Sequence, residues 1–101
     1  MVVERADVSI EQEVVALLSR IKPLAPLRGV FHAAMVLEDG VLTRMTEAQF
    51  LHAVAPKADG AWNLHRCTQQ LKLDYFVMYS SMTWNIGTPG QGNYAAANGV
   101  L

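Results

Sequence analysis

The stretch from Tyr75 to Asn98, YFVMYSSMTWNIGTPGQGNYAAAN, constrains the fold more than any other. Tyr75 to Tyr79 is a short apolar, aromatic-rich run between Asp74 and the pair Ser80 and Ser81, a pattern that predicts a buried strand ending at the serines. From Asn85 to Gly92 the glycines and Pro89 predict a loop, and Asn93, Tyr94, three alanines and Asn98 predict the start of a helix. The order is strand, serine, loop, helix. Tyr94 and Asn98 stand at i and i+4, so they share a helix face that can look back to the strand end carrying Ser81. A hydroxyl, a phenol and an amide can thereby converge on one small polar substrate.

The rest of the chain repeats this alternation. Val2 and Val3 open a segment, Met1 to Asp7, that reads as a strand end. Ser9 and Gln12 have the spacing of a capping box, and Ile10, Val14, Leu17, Leu18 and Ile21 recur at helical intervals, which predicts a helix over Ile10 to Ile21 stopped by Pro23 and Pro26. Arg28 to Ala34 reads as a second buried strand. Thr46 and Gln49 repeat the capping-box spacing ahead of a short helix, and Pro56, tolerated in a first turn, predicts a new helix to about Leu71 with Lys57 near its start. Strands alternating with helices give a parallel sheet with helical crossovers, an α/β fold. Apolar residues make up 51% and charged ones 17%, as strands buried on both faces require.

Eight basic and nine acidic residues leave a net charge of -1, so nothing marks the chain for nucleic acid or an anionic membrane. The single Cys67 cannot form an internal disulfide, and no apolar run is long enough to span a bilayer, which suits a reducing, cytoplasmic setting. His32, His52, His65 and Cys67 show no metal-ligand spacing, so no metal is expected.

The segment around Ser81 and Tyr94 resembles the active-site region of the short-chain dehydrogenase/reductase superfamily. That superfamily usually places Lys four positions after its Tyr, where this chain has Asn98. In the ketoreductase domains of modular polyketide synthases the Lys and Asn exchange places, the Lys coming from an earlier helix, and Lys57 in APKADGAWNLH matches that position. GVFHAAMVLEDG (Gly29 to Gly40) and PGQGNYAAAN (Pro89 to Asn98) extend the resemblance over most of the chain.

The resemblance implies a partial Rossmann-like, doubly wound parallel sheet of strand order 3-2-1-4-5-6. Met1 to Asp7 would then be strand three, Arg28 to Ala34 strand four and Tyr75 to Tyr79 strand five. Residues 1–101 would form a single ketoreductase domain truncated at both ends, because such domains need roughly 150 to 250 residues. It further implies NADPH as cofactor, although the Gly-rich phosphate-binding turn does not occur in this sequence, and a 3-oxoacyl thioester on acyl carrier protein as substrate. The other domains of a polyketide synthase would stand in cis. Tyr94 would be the proton donor, Ser81 a hydrogen-bond donor to the same oxygen, Lys57 the cation favouring the phenolate, and Asn98 the amide orienting Lys57 or a proton-carrying water. Asp7 would contact the adenine. Ala33, Ala34 and Met35, with Met35 where the family writes Gly, would line the nicotinamide ribose through their backbone, beside Lys57 and Tyr94.

Leu37, Glu38 and Asp39 resemble the Leu-Asp-Asp signature of ketoreductases giving the D alcohol, with Glu38 departing from it. Ile86 stands where the opposite class has Trp, and Trp84 where many relatives have Gly. Isolated from its parent the segment is expected to be inactive, its sheet lacking strands. A non-catalytic half-domain is the competing reading, disfavoured by retention of all four polar positions. A free-standing reductase of the superfamily is another, disfavoured because those keep Lys four residues after Tyr.

Overall fold

The computed structural model describes residues 1–101. Its elements run α1 (Glu11–Ile21), β1 (Gly29–His32), a 3₁₀ turn (Leu42–Arg44), α2 (Glu47–Thr68), β2 (Tyr75–Met78), α3 (Thr83–Ile86) and α4 (Gly92–Gly99). β1 and β2 pair in parallel, Gly29 against Tyr75 through His32 against Met78. Parallel neighbours need a long crossover, and α2 supplies it. At the strand starts the Arg28 guanidinium donates to Asp74 through Nε at 2.7 Å and Nη2 at 2.9 Å, and at their ends Tyr79 N–H donates to the His32 carbonyl at 3.0 Å.

Side chains alternate across this sheet. His65 of α2 stands edge-on to Phe76 at 6.3 Å, and His32 lies under the same helix with Nε2 3.3 Å from the Lys57 carbonyl. On the opposite face Phe31 and Tyr75 pack together at 6.4 Å yet remain 61% and 63% exposed. The sheet is therefore covered by helix on one side only.

The expected break at Pro56 is absent: α2 runs unbroken from Glu47 to Thr68, which puts Lys57 in mid-helix and not near a start. An internal proline costs about 3 kcal/mol through its missing N–H and its ring clash. The opposing factor is a buried stripe, Ala53, Lys57, Gly60, Ala61, Leu64 and Thr68, recurring at helical spacing on both sides of Pro56. Keeping that stripe aligned outweighs the local break. At the N-terminus of α2 the capping box forms as expected, with Gln49 N–H donating to Thr46 Oγ1 at 3.2 Å and Thr46 N–H to Gln49 Oε1 at 3.0 Å.

Other expectations are corrected. Ser9 does not cap α1, because Asp7 captures it: Ser9 N–H and hydroxyl both donate to Asp7 Oδ1, at 2.9 and 2.7 Å, an Asx-type turn competing with the helix cap. Met1 to Asp7 forms no strand: the sheet is β1 and β2 alone, and the end of the segment is turned onto α2, where Asn63 holds the Val8 and Ser9 carbonyls, so it pairs with neither open sheet edge; Val2 and Val3 are exposed. β1 is shorter than Arg28 to Ala34, and β2 stops at Met78. One helical turn, α3, follows Ser81 and ends at Gly87, whose φ of 72° lies in the region that suits glycine.

His32 is 3% exposed, and burial holds its pKa below the usual 6.5. A histidine depressed in the folded state binds fewer protons than it does unfolded, so its contribution is present above pH 6.5 and lost as pH falls toward the folded pKa. Chemical denaturation of the intact domain should accordingly show stability decreasing from pH 7 to 5, with a smaller decrease in His32→Gln. An equal slope in both proteins would contradict this assignment.

Candidate active site

The site begins where β2 ends. Beyond Met78 the Tyr79 carbonyl accepts a hydrogen bond from Lys57 Nζ at 2.7 Å, so mid-α2 is tied to the strand that leads to Ser80 and Ser81. Lys57 is 3% exposed, and burial lowers its pKa from 10.5 because the charged form gives up hydration. Its ammonium lies 6.0 Å from the Tyr94 ring centroid, at the outer limit of cation–π range.

α4 brings in the other two groups. Asn98 is 1% exposed; its Nδ2 donates to the Tyr94 carbonyl one turn back at 2.7 Å, while its buried Oδ1 has no partner. An unpartnered buried oxygen costs about 1–3 kcal/mol, so this acceptor is held ready for a donor. Ser80 donates its hydroxyl to the Asn98 carbonyl at 2.9 Å and ties α4 to the strand end. Ser81 lies 2.8 Å from Thr83 Oγ1 through its Oγ, which also accepts from Thr83 N–H at 3.3 Å. The half-exposed Tyr94 directs its hydroxyl toward Met35 Sδ at 4.0 Å.

Lys57 thus sits on the Tyr79 carbonyl with its ammonium 6.0 Å from the Tyr94 ring, and Asn98 is bonded to the Tyr94 backbone carbonyl. The structure joins neither Ser81 to Tyr94 nor Asn98 to Lys57 by a hydrogen bond. Asp7, Ala34 and Met35 line one open cleft of about 570 Å³ with Val8, His52 and Pro56. Ala33 is exposed beside it. The Asp7 carboxyl is held below its usual range by the hydrogen bonds from Ser9. A larger groove of about 930 Å³, between the end of α1 and the end of α2, contains none of these residues.

Leu37, Glu38 and Asp39 cross in front of α4 and are fastened to its start. Gln91 Nε2 donates to both Asp39 carboxylate oxygens at 3.1 and 3.2 Å, Asn93 Nδ2 donates to the Glu38 carbonyl at 2.8 Å, and Gly40 N–H donates to the Gly90 carbonyl at 2.7 Å. Ile86, on α3, is exposed. Sequence reasoning missed Gln91 and Asn93: two amides flanking a helix start invite a binding role, but their partners lie more than forty residues away.

The family model for the KR domain matches residues 1–101. The chain is 47% identical over 96 residues to highly reducing polyketide synthase PKS6 of Gibberella zeae, covering 94% of this chain and 4% of that protein. It is 50% identical over 86 residues to the phenolphthiocerol synthesis polyketide synthase type I Pks15/1 of Mycobacterium bovis, covering 85% of this chain and 4% of that one. Among solved structures it is similar to an N-terminal ketoreductase from the macrolactin assembly line, with a TM-score of 0.92, 35% identity, and coverage of 96% of this chain and 20% of that one. A ketoreductase domain from the bacillaene assembly line gives a TM-score of 0.90 at 34% identity, with 96% and 24% covered.

Proposed function

The chain belongs to the KR domain family of polyketide synthases, and on that footing we propose that the intact domain containing it reduces a 3-oxoacyl thioester on acyl carrier protein to the 3-hydroxyacyl thioester with NADPH. The observation that carries this reading is the buried Lys57 ammonium, held on the Tyr79 carbonyl beside Tyr94 and an unpartnered Asn98 oxygen. A buried cation is costly unless it is paired and hydrogen-bonded. Here its partner is a single neutral carbonyl.

NADPH, when bound, supplies the hydride that adds to the ketone carbon. The residues suit such a cofactor: Asp7, Ala34 and Met35 share a cleft, and Lys57 and Tyr94 stand together beyond Met35. As the carbonyl oxygen gains charge, the Tyr94 hydroxyl gives it a proton, and the C–O–H bond forms as the phenol O–H breaks. Lys57 stabilises the phenolate left behind. Asn98 Oδ1 accepts from a water or from Lys57 as the proton is replaced. Ser81, once its hydroxyl turns from Thr83, donates to the substrate oxygen. Partners in this reading are the phosphopantetheine arm of acyl carrier protein and further synthase domains in cis, in the cytoplasm; no helix is long and apolar enough to cross a membrane.

The product is the D alcohol, because Leu37, Glu38 and Asp39 resemble the signature of that class and Ile86 replaces the opposite class's Trp. The clamp of Gln91 and Asn93 supports a role for this segment in guiding substrate, since it fixes Asp39 one turn before Tyr94. Chiral chromatography of the product from a 3-oxoacyl thioester, with NADPH consumption followed in parallel, tests both parts. Mainly L alcohol would overturn the stereochemical assignment; no alcohol at all would overturn the reaction.

The 101-residue segment by itself is inactive. Only 13 of its 101 residues are buried, and its two-stranded sheet leaves Phe31 and Tyr75 facing solvent, too little to hold a dinucleotide cleft rigid. Titration of the isolated segment with NADPH should give no saturable change in nicotinamide fluorescence. Saturable micromolar binding would show the remainder of the domain to be dispensable.

A further inference from the structure

α2 does more than present Lys57. Three residues on, Gly60 leaves a notch: a Cβ built there would lie 2.7 Å from Val8 Cγ2 and 3.2 Å from His32 Cε1. Three further on, Asn63 is 8% exposed and its Nδ2 donates to two successive carbonyls of one turn, Val8 at 3.0 Å and Ser9 at 2.9 Å. The turn so held is the one whose Ser9 binds Asp7 Oδ1, and Asp7, Val8 and Ser9 together line the 570 Å³ cleft.

We propose that Gly60 and Asn63 are positioning residues for the cofactor, docking the Asp7–Ser9 turn at a fixed height on the helix that carries Lys57. The inference rests on the reading of Asp7 as an adenine-side contact and names what holds it there. The Asp7–Ser9 turn has no strand pairing to hold it; on the α1 side it is tied by the Ile10 N–H bond to the Asp7 carbonyl and the Asp7 N–H bond to Glu13, and on the α2 side it is held by Asn63 at this notch. Lys57 and Asn63 are six residues apart, about 9 Å along one rigid helix. Such spacing sets the distance between the reactive end and the adenine end of a dinucleotide, without either residue touching the adenine.

The test uses the intact domain in its parent synthase and two hydride donors, NADPH and reduced nicotinamide mononucleotide, which lacks the adenine half. Asn63→Leu removes both hydrogen bonds at similar volume. It should raise the KM for NADPH about tenfold, as the loss of buried hydrogen bonds predicts, and leave kcat within about twofold and kcat/KM for the mononucleotide unchanged. Gly60→Ala should give the same pattern, and adding Val8→Ala, which removes the closer of the two obstructing contacts and leaves His32 Cε1 at 3.2 Å, should bring KM most of the way back to that of Val8→Ala alone. This second pair keeps the test open if Asn63→Leu does not fold. A merely structural role would lower kcat/KM for both donors by the same factor, and that result, or an unchanged KM in both variants, would overturn the proposal. Failure of the unmodified domain to use NADPH at all would instead remove the functional reading beneath it.

Discussion

Replacing Tyr94 by Phe in the intact domain is expected to lower turnover for ketone reduction by about 10²- to 10⁴-fold, the usual contribution of a positioned proton donor. The Kd for NADPH should change by less than about threefold. The two effects separate because the phenol proton is needed as the carbonyl oxygen gains charge, not when the cofactor binds. The substitution removes one oxygen from a half-exposed side chain whose hydroxyl has only Met35 Sδ at 4.0 Å as a partner, so folding should be unaffected. Turnover within a few-fold of the unmodified domain would exclude Tyr94 as the acid.

Lys57→Met is the second large effect. Met has nearly the length and volume of Lys without its charge, so it keeps the buried stripe of α2 filled. The Tyr79 carbonyl would lose its donor, costing about 1–3 kcal/mol, against which stands the relief of a desolvated ammonium. The sign follows from the depressed pKa: between its folded value and 10.5, the folded state binds fewer protons than the unfolded state, so stability rises with pH across that window. Met abolishes this dependence. The expected result is a melting temperature within a few degrees of the parent's and turnover reduced by about 10²- to 10³-fold, the scale of losing one preorganised electrostatic group. A large fall in melting temperature with turnover retained would make Lys57 a structural residue.

What could be read from the chain was local or periodic. The apolar run at Tyr75 marks the strand, Thr46 and Gln49 mark the start of α2, and the i, i+4 spacing sets Tyr94 and Asn98 one turn apart on α4, with Asn98 Nδ2 bonded to the Tyr94 backbone carbonyl. What could not be read depended on partners distant in sequence. Pro56 signals a helix start because its ring is a local feature, whereas the stripe that carries α2 through it is defined by packing against α1, α4 and the sheet. Ser9 had the spacing of a cap, but Asp7, two residues before it, offered a closer acceptor. Asn63 and Gly60 carried no visible motif, since their role is set by Val8 across more than fifty residues. Lys57 was expected to face the same groups as Tyr94, and its ammonium lies 6.0 Å from that ring, yet its hydrogen bond goes to a backbone oxygen that no side-chain pattern encodes.

Lys57, Tyr94 and their neighbours are proposed to serve hydride reduction of a 3-oxoacyl thioester. The most direct test is to supply the intact domain with a short 3-oxoacyl thioester and NADPH carrying deuterium at the transferred position, and to read the product by mass spectrometry. The expected product is a 3-hydroxyacyl thioester with one deuterium bonded to carbon 3, formed by the unmodified domain and about 10²- to 10⁴-fold more slowly by Tyr94→Phe; recovery of unchanged ketone from the unmodified domain, or an alcohol without the label, would exclude this reaction.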